Sequence, residues 1–437
     1  MNVKIKALAF VLMAVLLLCG CGQKSETAAA TLAQAVTASA AQSSTARPVS
    51  TGVTPEQFGT KGDGIADDLR ALQAAMQQAS AAGRPLELTA GAVYRFSSCL
   101  GLPSGLTIQG NGAVLLSDIQ YPDLKEDRVA VELMKDSDDD RAHDVRLENV
   151  TFRAADSCQA NYMLRVMLAR NVEFVGCTFD CEPNEWGRCA ADLYGGNENI
   201  RFEGCVFRQM TSGASGGIWV RNWTDRVESR NIRFQNCEFY KSGADELLAV
   251  WGWGGAVRDV VLSGCSFYET QTQEALDADH RPVWFITLGQ SGITDVRMED
   301  CTVRAEYCET IFRMVGDKTR AVVDNCDITM RQPGSMAKHD MKKGANPMLA
   351  RGNDRADGST VIQNSRITLS GDNGRRICYQ LSALKGNTLD VSLGYGIAST
   401  KEVSGNTIRG RIRHKVFQDC SGVENNNVEV RRFSILG

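Results

Sequence analysis

Apolar and polar residues alternate in a short phrase that recurs through the middle of the chain. Each copy has a strand-like run, a tight turn of Gly, Asn or Asp, a cysteine and a further apolar residue. The copies are NVEFVGCTF (171–179), NIRFEGCVF (199–207), NIRFQNCEF (231–239), DVVLSGCSF (259–267), DVRMEDCTV (295–303) and AVVDNCDI (321–328). Alternation with a period of two is typical of β-strands. The pattern therefore predicts a repeated β unit.

The position of this cysteine, which we call the ladder position, continues beyond the six copies. Val150 occupies it upstream, and Ser365, Asn387, Asn406 and Asn426 occupy it downstream. Successive ladder positions are 19 to 39 residues apart. Self-similarity at this period indicates a solenoid, and its coils would stack about 4.8 Å apart. We expect the six cysteines to form one buried row of free thiols, because in-register side chains point the same way and a disulfide needs them to face each other.

The segment FGTKGDGIADDLRALQAAMQQASAAGRP (58–85) has a different period. After an acidic start at Asp67–Asp68, apolar residues recur at helical spacing, and Gly83 is a plausible stop. The apolar positions are Leu69, Leu72, Met76 and Ala79. An amphipathic helix here would cap the open end of the solenoid, as terminal units must.

The first residues differ again in composition. A basic start and an apolar run from Ala7 to Leu18 are typical of an export signal, and Leu18-Cys19-Gly20-Cys21 resembles a bacterial lipobox. We expect a signal peptide and lipobox at 1–21, lipid on Cys21, a disordered Ala/Ser/Thr-rich tether at 22–52, and one domain at 53–437. The alternative is an ordinary secretory signal. The predicted location is the bacterial cell envelope, on the exported side of the membrane, with the lipid as the membrane contact.

Composition narrows the candidate chemistry. The net charge of −4 and the pI near 5.8 provide no basic field for nucleic acid. Only four histidines are present and no CxxC pair, so we expect no metal site.

The stretch from 58 to 115, ending in LPSGLTIQGNGAVL, is similar to the opening of the pectate-lyase-like superfamily. The polygalacturonase-like enzymes of glycoside hydrolase family 28 have a similar design. This resemblance implies an all-β fold, a right-handed single-stranded parallel β-helix with an N-terminal capping helix. It covers nearly the whole mature chain as fold, but only a few positions as active site.

A second strand precedes each recurring phrase, and its alternation defines an outer face. If Leu248 and Val250 point inward, Trp251 points outward, and the same reasoning places polar and aromatic residues beside it on neighbouring coils. Those residues are Asp192, Tyr194, Trp219 and Arg221, with Trp253 and Trp284 nearby. All six tryptophans fall between 186 and 284. Aromatic faces flanked by acids and arginines suit a sugar chain; a partner interface or an aromatic cluster is the alternative.

Catalytic residues are implied by the resemblance to the polygalacturonase-like family. GADELLAV is similar to that family's Asp-Asp coil, with Asp245 at the first acid and Glu246 at the second. His280 and Arg313 fall near its Gly-His-Gly and Arg-Ile-Lys motifs, whereas Gly216 stands where its Asn-Thr-Asp motif has an aspartate. The departure at Gly216 puts the water-activating step in doubt.

An inverting glycosidase needs its two carboxyl groups roughly 6.5–9.5 Å apart. Asp192 would lie two coils from Asp245, or about 10 Å, so we consider it as a replacement base. The sequence predicts a polysaccharide-active protein, most simply a monomeric glycosidase that cleaves an acidic, pectin-like glycan without a cofactor. A β-eliminating lyase that uses calcium and an arginine, and a non-catalytic carbohydrate-binding protein, remain open.

Overall fold

A computed structural model describes residues 52–120, 128–134, 141–181, 189–210, 217–222, 227–241, 246–269, 284–333, 347–353, 357–372 and 374–432. These residues belong to a compact unit that spans Thr51–Gly437. No helix in this described part has the length and apolarity that a membrane crossing requires. The predicted boundaries at residues 21 and 52 stay predictions, because residues 1–51 lie outside the described ranges.

The predicted N-terminal helix is present as α1, Leu69–Ala82, after a 3-10 turn at Pro55–Phe58. It begins directly after the acidic pair and ends at Gly83, whose φ of 61° is the left-handed conformation that glycine adopts at low cost. Its core-facing side chains are fully buried against the first coils: Leu72, Ala75, Met76 and Ala79.

The rest of the described chain is a succession of short strands. The first eighteen are β1 Asp63–Asp67, β2 Leu86–Glu87, β3 Val93–Phe96, β4 Leu100–Gly101, β5 Thr107–Gln109, β6 Val114–Ser117, β7 Val129–Met134, β8 Ala142–Glu148, β9 Thr151–Ala154, β10 Tyr162–Met167, β11 Ala169–Val175, β12 Thr178–Asp180, β13 Cys189–Tyr194, β14 Glu198–Glu203, β15 Val206–Met210, β16 Ile218–Arg221, β17 Ser229–Gln235 and β18 Glu238–Lys241. The others are β19 Leu248–Ser263, β20 Ser266–Glu269, β21 Trp284–Glu299, β22 Thr302–Ala305, β23 Thr310–Arg313, β24 Lys318–Asp324, β25 Asp327–Arg331, β26 Pro347–Arg351, β27 Ser359–Gln363, β28 Arg366–Ser370, β29 Arg376–Tyr379, β30 Ala383–Lys385, β31 Thr388–Leu393, β32 Tyr395–Ala398, β33 Glu402–Ser404, β34 Thr407–Ile412, β35 Phe417–Gln418, β36 Val423–Glu424 and β37 Asn427–Arg431.

These strands form three parallel faces, because each pairs with its equivalent on the next coil. Sheet A contains β4, β7, β10, β13, β16, β23, β26, β29, β32 and β35, and sheet B contains β2, β5, β8, β11, β14, β17, β24, β27, β30, β33 and β36. The long strands β19 and β21 run through both sheets and join them. Sheet C is the remaining set of 14 strands. The architecture is the predicted right-handed parallel β-helix, the hand that parallel crossovers almost always take.

The ladder position explains how the coils stay in register. The residue before it has positive φ in most coils and is Gly, Asn or Asp, which turns the chain from sheet B to sheet C. The six predicted cysteines follow these turns as buried free thiols, and each lies within hydrogen-bonding distance of a backbone carbonyl: Cys177, Cys205, Cys237, Cys265, Cys301 and Cys326. The prediction of free thiols is confirmed.

Downstream, asparagine amides replace the thiols in the same row. The side-chain Oδ1 of Asn406 accepts hydrogen bonds from the backbone N–H and the side-chain amide of Asn387, both at 3.0 Å. Asn426 receives the same pair from Asn406 at 3.0 and 2.9 Å. Each amide therefore links its coil to the next one.

Stacked phenylalanines fill the interior beside this row. Five of them lie with neighbouring ring centroids 4.6–5.0 Å apart: Phe152, Phe179, Phe207, Phe239 and Phe267.

The interior also holds an ion pair, in which Lys241 and Glu269 face each other in register with a 3.8 Å separation. The second carboxylate oxygen of Glu269 accepts three backbone N–H groups from the turn at 306–308, at 2.8–3.2 Å. Those bonds and Lys241 offset the cost of burying this charge.

Candidate functional site

The outer face of sheet A carries two rows of predicted site residues. Strand register places Asp192 beside Trp219 and then Ala249 along one row, and Tyr194 beside Arg221 and then Trp251 along the other. This is the neighbourhood that the alternation predicts. It arises because inward Leu, Ile and Val residues fix the opposite side of each strand to the core.

Asp192 lies at the centre of a carboxylate clamp, which we define as Arg165, Asp192 and Arg221. Arg221 donates from Nε to Oδ1 and from Nη2 to Oδ2, both at 2.7 Å, and Arg165 Nε donates to Oδ2 at 3.2 Å. The Asp192 side chain is fully buried. The two guanidinium groups cover both oxygens of this buried carboxylate, so a water molecule has no open oxygen to which it could give a proton. The assignment of Asp192 as a base stays a prediction that this geometry does not favour.

Rings surround the clamp in what we call the aromatic platform: Tyr162, Tyr194, Trp219, Trp251 and Trp253. The Trp219 and Trp251 ring centroids are 5.3 Å apart, and those of Trp251 and Trp253 are 6.3 Å apart. Exposure rises along this series, from 8% for Trp219 to 57% for Trp253. The indole N–H groups of Trp219 and Trp251 are buried, and neither forms a hydrogen bond with a described residue. A ligand on this surface would therefore contact the ring faces rather than these N–H groups.

The guanidinium groups of the clamp lie against these rings. Arg165 is 4.4 Å from the ring centroid of Tyr162, and Arg221 is 4.2 Å from that of Trp219 and 5.0 Å from that of Tyr194. Cations in this arrangement gain from the ring quadrupole, more so when water is excluded. The clamp and the platform therefore form one preorganised unit.

A second charged group lies further along the same face. Glu246, 9% exposed, accepts a 2.6 Å hydrogen bond from Thr287 Oγ1 and lies 3.6 Å from Arg313. The Arg313 guanidinium is 3.7 Å from the ring centroid of Trp284 and donates to Gln290 at 2.9 Å. The structure thus brings three predicted site residues, Glu246, Arg313 and Trp284, into contact.

The pKa values of Arg221 and Arg313 are shifted in opposite directions. Burial lowers the pKa of Arg221, but the hydrogen bonds and charge of Asp192 outweigh it, so the net pKa lies above the ordinary value. Burial lowers the pKa of Arg313 below its ordinary value, and the charge of Glu246 offsets this only in part.

Three predicted site residues, Asp245, His280 and the predicted lipidation site Cys21, lie outside the described ranges, as does Gly216. Their roles stay predictions. Within the described ranges, no group of three or more His, Cys, Asp or Glu side chains could hold a metal ion.

Sequence reasoning missed the coil before Asp192. Tyr162 and Arg165 in β10 complete the platform and the clamp, and Arg165 pairs in register with Asp192. The signal was available in NYMLRVM (161–167), where an arginine interrupts an apolar strand. Thr287 and Gln290 were also missed, because neither residue type stands out in a strand of sheet A.

No family model and no curated protein matches the sequence. Solved structures similar to this chain include a Geobacillus virus E2 protein, ORF18, with 14% identity, a TM-score of 0.49, and coverage of 95% of this chain and 66% of that one. The Streptococcus pneumoniae surface adhesin PfbA has 14% identity and a TM-score of 0.45, covering 87% of this chain and 100% of its own. A tailspike mutant of the E. coli bacteriophage HK620, in complex with a hexasaccharide, has 13% identity and a TM-score of 0.45, covering 86% and 80%. This chain spans only about two thirds of the viral protein, and likeness at this level carries no functional conclusion.

Proposed function

We propose that this protein binds an acidic polysaccharide along the outer face of sheet A, outside a bacterial cell, with the lipid on Cys21 as its membrane anchor. The observation that carries the proposal is the aromatic platform around the carboxylate clamp. Sugar rings stack their C–H faces on aromatic side chains while their hydroxyls seek hydrogen bonds. Trp253 is exposed and Trp251 beside it is partly exposed, so these two rings offer such faces.

Charge favours an acidic sugar over a neutral one. The described strands of sheet A carry five arginines, against three acids on or next to the same strands, so this face carries a net positive charge: Arg165, Arg221, Arg313, Arg351 and Arg376 against Glu132, Asp192 and Glu246. Arginine recognises carboxylates through two parallel hydrogen bonds. A uronate bound along this face would therefore meet a complementary charge.

Cleavage of the bound chain is the second candidate, and the Glu246 group favours it. For elimination, the candidate basic residue is Arg313, because Arg221 already donates two hydrogen bonds to Asp192. Calcium is a possible cofactor of such a lyase, although the described residues include no group of three or more Asp, Glu, His or Cys side chains that could hold it. For hydrolysis, Asp245 would donate a proton to the leaving oxygen with Glu246 as its charged neighbour.

The test is a binding and turnover screen of acidic and neutral polysaccharides with the purified protein, followed by mass spectrometry of the products. We expect binding of an acidic glycan, weakened about tenfold by Trp251→Ala, or about 1.4 kcal/mol. Tyr268→Ala is the matched control, since Tyr268 stacks on Tyr240 at 5.2 Å on sheet C, away from the platform. An unsaturated uronate product would identify a lyase and a new reducing end alone a hydrolase. Absence of binding to every acidic glycan, or equal losses in both variants, would refute the proposal.

A further inference from the structure

The C-terminal coils of sheet A carry a group of aromatic and cationic residues that lies beyond the proposed site. We call it the distal platform and define it as Arg351, Arg376, Tyr379, Tyr395 and His414. Its rings are partly or fully exposed, and Tyr395 stacks on His414 with centroids 4.3 Å apart. Arg376 lies 5.5 Å from the ring centroid of Tyr379 and 5.7 Å from that of Tyr395.

Strand register assembles these residues from segments far apart in the chain. Arg351 pairs with Tyr379, and Arg376 pairs with Tyr395. Arg351 also continues the outward row that contains Arg313. The distal platform therefore lies on the same face as the aromatic platform.

Charge distinguishes this part of the face from the carboxylate clamp. Strands β26, β29, β32 and β35 are fully described and contain no Asp or Glu. Arg351 is exposed, and no described residue forms an ion pair with it. Its charge instead lowers the pKa of Arg313, after burial and against the opposing effect of Glu246. Two guanidinium groups side by side repel each other, and an anion that binds between them would relieve this repulsion.

We propose that the distal platform is a second subsite for an anionic polysaccharide, and that one long chain contacts both platforms. This inference rests on the proposed function. Arg351 and Arg376 would bind carboxylate or sulfate groups, while Tyr379, Tyr395 and His414 would stack against sugar rings.

The spacing makes the proposal testable by chain length. Trp251 in β19 and Tyr395 in β32 are five coil steps apart, or about 24 Å at one strand spacing per step. A trisaccharide would occupy only one platform, whereas a long chain would span both. Joining two sites through one ligand raises the apparent affinity without any new contact.

The experiment compares a long polyuronate and its trisaccharide on wild type, Arg351→Gln, Tyr395→Ala, Trp251→Ala and the control Tyr268→Ala. We expect Arg351→Gln and Tyr395→Ala to weaken binding of the long chain about tenfold and leave trisaccharide binding at the aromatic platform unchanged. Trp251→Ala should weaken binding of both ligands. A melting temperature close to wild type for each variant confirms that it is folded.

Two further ligands identify the anion. A sulfated glycan that binds as well as the polyuronate, with the same loss in Arg351→Gln, would assign the subsite to anionic glycans in general. A neutral glucan of equal length that binds as tightly would overturn the role of charge. Unchanged binding of the long polyuronate by Tyr395→Ala and Arg351→Gln would overturn the distal subsite while Trp251 keeps its effect. Loss only in the distal variants would instead overturn the proposed function and leave the distal platform as the primary site.

Discussion

The carboxylate of Asp192 and the guanidinium of Arg221 form a two-point ion pair between neighbouring coils, with both N–O distances at 2.7 Å. Arg165 approaches the same carboxylate from the opposite coil. Three consecutive coils are thus joined by one buried charge, which places the aromatic platform on a rigid base.

Replacement of Asp192 by asparagine is predicted to destabilise the protein strongly. The amide removes the negative charge and turns N–H donors toward two buried guanidinium groups. Loss of one partner of a buried pair costs about 3–5 kcal/mol, which urea unfolding would measure. The matched control is Asp180→Asn, because Asp180 pairs with the more exposed Arg153 at 3.2 Å and such pairs contribute about 1 kcal/mol or less. Equal losses in the two variants would contradict the role of the clamp.

The asparagine row predicts a second stability difference. Asn406→Ala removes the acceptor for two groups of Asn387 and the donor to Leu384 O, which is 2.8 Å away. Buried polar groups left without a partner cost about 1–3 kcal/mol each, so we expect a loss of at least about 2 kcal/mol. Asn427→Ala, on an exposed position with one bond to Glu429, should change the unfolding free energy by less than about 0.5 kcal/mol. If both variants unfold at the same urea concentration as wild type, the row contributes nothing.

The cysteine row predicts slow chemical labelling. In the native state the ladder thiols should resist alkylation, because they are buried, while Cys420, which is partly exposed, reacts first. Burial, together with the charge of Glu132, raises the pKa of Cys99 to about 12, so at pH 8 this half-buried thiol should react more slowly than Cys420. Peptide mapping after timed labelling measures each rate. A disulfide between Cys205 and Cys237, or rapid labelling of either, would be inconsistent with the structure.

The raised pKa of Tyr94 predicts that the free energy of unfolding falls at alkaline pH. Burial and the 2.6 Å hydrogen bond to Glu56 raise the pKa of Tyr94 to about 12, from an ordinary value near 10. The native state therefore holds this proton more tightly than the unfolded state does. The resulting stability is complete below about pH 10 and is lost as the pH rises toward about 12.

Tyr94→Phe tests this contribution, since it removes the hydroxyl and keeps the ring. At pH 8 the variant should be less stable than wild type by about 1 kcal/mol, the usual net value of a hydrogen bond. The gap should then narrow between pH 10 and 12, as wild type loses the contribution that the variant lacks. Urea unfolding of both proteins at pH 8, 10 and 12 measures this gap. A gap that stays constant over this range would show that the titration of Tyr94 does not cause the loss of stability at alkaline pH.

Much of the fold can be predicted from the sequence, because every coil of a solenoid needs the same kinds of residue at equivalent positions. A residue with positive φ, a small buried ladder residue and an apolar neighbour recur wherever the chain turns from sheet B to sheet C. The pattern therefore predicts the strands, the ladder from Val150 to Asn426, and the capping helix that ends at Gly83. The same alternation predicts that Trp219 and Trp251 lie on the outer face of neighbouring coils, where their ring centroids are 5.3 Å apart.

The partners of the site residues were decided by the tertiary structure. Arg165 meets Asp192 across 27 residues, and Thr287 meets Glu246 across 41. Lys241 and Glu269 stand at the ends of separate strands in the sequence, and the coils bring them face to face inside the core. Because the coils differ in length, the number of residues between two positions does not show whether they pair across neighbouring strands. The pairing depends on where each connecting loop leads back into the next strand. Composition and periodicity therefore determine which face a residue occupies, while its neighbour across the coil depends on the packing of all the coils together.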